Sequence, residues 1–257
     1  MAATAVHDAV VEKQRTTSRL QLVVKFPETN PSMDSYRIGT LLELVRSISV
    51  QLAQAKKRVR VCVQGSMGVG IFTGLPKQLT GVATLLQRMD WQTGPGELYE
   101  GIVGEYVRFG AVGAEHVQDD DDCFLLIAPQ NMVGTDSSIH PLLKAMVDKA
   151  GEDRPVILIN PDLTDKVSAA GQQSIRGRSE RIEFEQSFET TFQFANTYIS
   201  GTSYFPILGA TTKLHPTEPW ITYQRRDFSD GKGEIYVPVL AGETPPSGES
   251  ILEALDR

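Results

Sequence analysis

Two short runs decide the fold: Cys123–Ala128, reading CFLLIA, and Val156–Asn160, reading VILIN. Both are apolar at nearly every position, where a half-exposed strand would alternate. Between them Ile139, Leu142, Leu143, Met146 and Val147 recur at helical spacing. Two strands apolar on both faces, joined by a helix, define a parallel βαβ unit in a sheet covered on both sides. The predicted class is therefore α/β, with a Rossmann-like sheet built on a parallel βαβ core.

Upstream, Leu20, Leu22, Val24 and Phe26 alternate with Gln21, Val23 and Lys25 and stop at Pro27, which predicts a short strand. Ile38, Leu41, Leu42, Val45, Ile48 and Leu52 predict a helix with one buried stripe. Arg58–Gln64 alternates basic with apolar residues and runs into glycine, as a strand entering a turn would. Leu79, Val82, Leu85, Leu86 and Met89 predict a second amphipathic helix, and a weak strand is expected around Tyr106–Phe109. Downstream, Phe184 and Phe188 repeat at helical spacing. Four runs follow, 192–199, 204–214, 220–225 and 234–239, rich in aromatic and β-branched residues and separated by turn signals. They predict a C-terminal antiparallel meander extending the sheet. The expected organisation is a flexible N-terminal arm (1–18), one α/β domain (19–241) and a C-terminal tail (242–257).

A chain of 257 residues, 40% of them hydrophobic, is long enough to bury one sizeable core. No stretch approaches the roughly 18 apolar residues of a membrane-spanning helix, so at most peripheral membrane association is expected. The net charge of -7 repels phosphate backbones and argues against nucleic acid as a partner. Residues 1–20 carry Asp8 and Glu12 and lack both a secretory apolar stretch and the acid-poor character of a transit peptide, so a mature form, or a chain whose targeting segment has been removed, is expected. Cys62 and Cys123 each sit in an apolar run and read as buried core thiols, with a regulatory disulfide as the alternative.

No catalytic motif is present. Gly65–Gly70 has the spacing GxxGxG with no following GK[ST], and no GxSxG elbow occurs. His7, His116, His140 and His215 are scattered without HExxH or paired CxxC spacing, so no metal and no cofactor is predicted. The acidic run Asp119–Asp122 reads as a solvated lead-in to the Cys123 strand. Ligands of open α/β sheets bind beyond the carboxyl ends of the parallel strands. Here those ends deliver Gly65, Ser66 and Gly68, then Gln130 and Asn131, then Asn160 and Asp162. The same residues serve equally as turn formers. Arg176, Arg178 and Arg181 form a basic cluster able to clamp carboxylates or phosphate, or to pair with the neighbouring Glu180, Glu183 and Glu185.

Taken together, RPVILINPDL, SIRGRSERIEFEQSF, TSYFPILGA and PWITYQRRD, with GSMGVGI, GVATLLQRMDW and YEGIVGEYVRFG, carry a resemblance. Over roughly residues 20–240 the chain resembles the plant, algal and cyanobacterial domain-of-unknown-function family that contains the chloroplast Low Photosystem II Accumulation assembly factors. The resemblance implies a non-enzymatic protein of the chloroplast stroma, partly thylakoid-associated, that helps the inner antenna chlorophyll-binding subunit join photosystem II. The implied partners are photosystem II subunits and thylakoid assembly factors or the insertase. The family supplies no catalytic residues. On this reading the partner surface comprises Arg176, Arg178 and Arg181 with Phe205, Pro206, Trp220, Arg225 and Arg226, since arginine and aromatic residues are favoured interface anchors. The alternative is a small-molecule or nucleotide-binding regulatory module, or a cryptic enzyme, using the strand-end crevice.

Overall fold

The computed structural model describes residues 1–31, 33–65, 81–91, 102–131, 139–164, 177–198 and 206–256. Helix α1 (Ala2–Val10) leads into strand β1 (Arg19–Lys25), helix α2 (Ile38–Gln54) and strand β2 (Val59–Val63). Next come α3 (Val82–Arg88), the broken turn α4 (Ile102–Glu105), β3 (Val107–Ala111) and β4 (Cys123–Ile127). Helix α5 (His140–Ala150), β5 (Val156–Ile159) and α6 (Arg178–Gln186) precede β6 (Glu189–Tyr198), β7 (Ile207–Lys213), β8 (Trp220–Asp227) and β9 (Glu234–Gly242), and α7 (Gly248–Leu255) closes the chain.

Among the described residues the nine strands form one sheet in the order β3-β2-β4-β5-β1-β6-β7-β8-β9. The first six are parallel and the last three antiparallel. The α/β class, the parallel core and the antiparallel extension thus match the expectation. The meander is not separate: β6 lies parallel to β1, with Leu22 opposite Phe192 and Val24 opposite Phe194, so it continues the Rossmann-like sheet.

Alternation along the buried strands divides the core into two layers. Leu20, Leu22, Val61, Leu125 and Ile157 face α1, α2 and α3, through residues such as Val6, Leu42, Ile48 and Leu86. Phe124, Leu126 and Leu158 face α5 and the Phe184–Phe188 pair, through Leu143 and Met146. Strand runs apolar at every position are therefore required, because both faces are covered.

Residues 1–18 differ from the expected arm. Ala5, Val6, Ala9 and Val10 are buried on one side of α1, which packs on α2 and β6. Asp8 fixes this helix to the β7–β8 turn, lying 3.0 Å from His7 Nδ1 and 3.2 Å from His215 Nε2. Residues 248–255 are likewise a helix rather than a loose tail: Ser247 caps α7 by accepting from Ser250 N–H, and Gln224 donates to the Leu255 carbonyl. Gly209 permits this close packing, because a Cβ there would run into the Tyr223 carbonyl and lie 2.7 Å from Leu255 Cδ2.

Candidate functional site

Strand order places the switch point of the sheet between β2 and β4. From β2 the chain proceeds toward the β3 edge, and from β4 it proceeds the other way, to β5. Diverging connections open a crevice at such a point. In this chain the crevice is laced with protein hydrogen bonds. The buried Gln64 side chain spans the two loops, donating from Nε2 to the Gln130 carbonyl (3.0 Å) and accepting the Gln130 N–H at Oε1 (2.8 Å).

At the neighbouring strand end, Asn160 plays the part of a further strand residue. Its Oδ1 accepts the Val24 N–H (2.6 Å) and its Nδ2 donates to the Val24 carbonyl (2.8 Å), continuing the β1–β5 ladder through a side chain. Asn160 and Ala128 both have positive φ (48° and 41°), so β4 and β5 end with the same left-handed residue. Beyond them the loops pair again, Gln130 opposite Asp162, with Asn131 N–H to the Asp162 carbonyl (2.8 Å) and Asp162 N–H to the Pro129 carbonyl (2.9 Å). Asp162 Oδ1 accepts from Thr164 Oγ1 (3.2 Å). The crevice positions Gln130, Asn131, Asn160 and Asp162 are thus brought together by β4 and β5, and the hydrogen bonds they make build the loops. Gly65 lies two residues past the end of β2, while Ser66, Gly68 and the rest of the glycine-rich turn lie outside the described residues.

The basic cluster sits on α6. Gly177, at φ 68°, starts the helix, Arg178 is exposed in its first turn, and Arg181 lies half-buried one turn on. Ile182, 41% exposed, shares the Arg178 side of the helix at i+4 spacing. The helix is held from beneath by Phe184, which packs edge-on against Phe188 at 5.4 Å and carries the Arg19 guanidinium over its ring at 5.6 Å. Arg176 and Phe205 lie outside the described residues; Pro206 is exposed just before β7.

Strand β8 does not present one continuous surface. Trp220 is 6% exposed, with the Lys213 ammonium 5.8 Å from its ring, so it is a buried floor residue and not the exposed anchor expected. Arg225 and Arg226 occupy the far end of the strand, pointing to opposite faces. Arg225 Nε pairs with Asp227 (2.8 Å) and Glu234 (2.7 Å), and Arg226 donates to Gln224 Oε1 (3.1 Å).

The family model described as domain of unknown function DUF1995 matches residues 1–253. The chain belongs to this family. No solved structure matches it. The family match extends over α1 and most of α7, the two terminal elements that the structure packs onto the sheet. Segments of the chain singled out above now have physical readings: Asn160 of the VILIN run carries the side-chain ladder, Gly177 turns into α6, and Gly209 admits α7.

One polar site was not anticipated. The acidic run is a solvated lead-in only in part: Asp119 and Asp120 are exposed, but Asp121, 2% exposed, receives two hydrogen bonds from Arg60 of β2, Nε to Oδ2 (2.6 Å) and Nη2 to Oδ1 (3.0 Å). Asp120 receives a second such pair from Arg108 of β3 (2.7 and 2.9 Å), which holds its carboxyl below the usual range, and Asp122 accepts the Arg58 N–H (2.7 Å). The carboxylates line a groove of about 410 Å³ beside Lys57 and Arg154, on the edge opposite the crevice. Their signal was the alternation RVRV, which places Arg60 on a covered face where an arginine needs a partner. Cys62 and Cys123 are free and buried on opposite faces, and burial pushes both thiols up, so they do not form a disulfide with each other. Among the described residues no group of His, Cys, Asp and Glu could hold a metal, and no helix is long and apolar enough to cross a membrane.

Proposed function

We propose that this protein is a non-enzymatic binding factor of the chloroplast stroma that aids photosystem II biogenesis, engaging thylakoid-bound partners through the surface of α6. The observation that carries the binding reading is a contrast between two places in the same sheet. Side chains at the strand-end crevice are committed to joining loops, Gln64 to Gln130 and Asn160 to Val24. Helix α6 instead rests on Phe184 and turns Arg178 and Ile182 outward, an arginine beside an apolar residue, which suits a protein interface.

The chloroplast setting rests on the motif resemblance to the Low Photosystem II Accumulation assembly factors; the family to which the chain belongs is described only as a domain of unknown function. The test is affinity capture from solubilised thylakoid membranes, with wild type set against the Arg176→Ala, Arg178→Ala, Arg181→Ala triple variant. Enrichment of photosystem II subunits by the wild type, lost in a variant of unchanged thermal stability, is the expected result. Equal capture by both proteins would remove α6 from the interface. Recovery of no membrane partner, together with thermal stabilisation by a nucleotide or phosphorylated metabolite, would instead favour a regulatory module at the crevice.

A further inference from the structure

Beyond the ends of β1 and β6, on the face that carries α1 and α2, polar side chains gather without partners among the described residues. Phe194 packs into that face, and Asn196 and Tyr198 follow it at strand period two. The register carries the same face across the antiparallel half, from Phe194 to Thr212 to Ile221, and by alternation to Tyr223 and Arg225, which stands opposite Tyr236. On the other side β1 ends at Lys25, opposite Ala195 of β6, and the chain turns there so that Glu28 comes beside the end of β6, its carbonyl accepting the Arg37 N–H (2.8 Å).

Two polar atoms in this shelf are buried without a hydrogen-bond partner among the described residues, Asn196 Oδ1 and Tyr198 Oη. Buried polar atoms are normally paired, so two on one shelf mark a place where something else supplies the bonds. The half-buried Glu28 carboxylate has no hydrogen bond or ion pair among the described residues, and the exposed Arg37 guanidinium does not reach it. Its charge is felt by the Tyr198 phenol, which burial first, and then Glu28 and Tyr236, push above the usual tyrosine range. Arg225 offers little balance, because it is already engaged by Asp227 and Glu234.

We propose that this shelf binds an organic cation bearing N–H donors, a protonated amine or a guanidinium, with Glu28 and Asn196 Oδ1 accepting and the rings of Tyr198 and Tyr236 flanking the charge. Carboxylate and amide oxygens demand donors, and tyrosine faces attract cations, so the ligand's sign follows from the lining. The shelf is distinct from the α6 surface and stands or falls independently of it. The cation can come from a free amine or from a lysine side chain of a partner protein.

The experiment is isothermal titration calorimetry of the full chain with spermidine and, separately, with a lysine-rich decapeptide blocked at both ends. Glu28→Gln removes the charge and keeps the shape, and Tyr198→Phe removes one hydroxyl. Because the chain is acidic, Glu249→Gln on exposed α7 reports non-specific attraction. Loss of a charge-assisted hydrogen bond predicts a fall in affinity of about tenfold or more for Glu28→Gln, about threefold for Tyr198→Phe and less than about twofold for Glu249→Gln. Tighter binding of the peptide assigns the shelf to a partner's side chain; tighter binding of spermidine assigns it to a free amine. No binding of either probe, or equal losses in Glu28→Gln and Glu249→Gln, would overturn the proposal.

Discussion

Asp121 shows how much a single residue can hold in this molecule. Its carboxylate is buried with Arg60, so removing either partner strands a charge, whereas removing both does not. Asp121→Asn should destabilise by about 3–5 kcal/mol in urea unfolding, and Arg60→Met with Asp121→Leu should recover most of that loss. Asp8 gives the pH counterpart. Its hydrogen bond from His7, and a lesser one from His215, hold the carboxyl below its ordinary value of 3.8. A carboxyl depressed in the folded state stabilises above the ordinary value, and the contribution fades as pH falls through the folded one. The urea midpoint should therefore drop from about pH 4 downward, and Asp8→Asn should flatten that part of the profile. The Arg60–Asp121 pair was only half legible in the sequence. An arginine inside an apolar run announces a buried partner, but which of four aspartates supplies it depends on β2 and β4 being neighbours, and spacing carries no such information.

At the scale of elements, α1 was the largest surprise. Ala2, Ala5, Val6, Ala9 and Val10 have helical spacing, yet their side chains are small and the stretch is short, so the apolar stripe is faint against polar surroundings. Packing on α2 and β6 supplies what propensity does not. Val6→Asp should cost on the order of 3 kcal/mol, because it buries an unpaired carboxylate, and protease nicking near residues 11–18 should rise with it. Strands β4 and β5 were legible since burial on both faces leaves only apolar choices, and β1 and β2 because their apolar residues alternate with polar or basic ones. The parallel pairing of β6 with β1 was not, because aromatic alternation specifies a strand but not its neighbour. Leu142 reads as part of the α5 stripe yet is exposed, while Leu143, Met146 and Val147 carry the packing.

For the whole molecule, the two ends of the sheet and its two halves do different work. The parallel half is a covered core whose strand ends are sewn together, and its loops at Gln64, Gln130 and Asn160 serve the fold. The C-terminal half ends in β9, an edge strand with exposed Ile235 and Tyr236, and α6 is held against β1 and α5, where Phe184 meets Arg19 and His140. That distribution was visible in the sequence as fold class, but the site residues were legible only as types: arginines and aromatics could be nominated, whereas the burial of Trp220 and the opposed directions of Arg225 and Arg226 needed the sheet.

Photo-cross-linking tests the central claim, that function lies in binding through α6 rather than in chemistry at the crevice, most directly. A benzoyl-phenylalanine placed at Ile182, or at Gln130 as comparison, would be irradiated with solubilised thylakoid membranes and the adducts identified. The account predicts adducts with photosystem II subunits or assembly factors from position 182 and none from position 130. Adducts from position 130 with position 182 silent would contradict it.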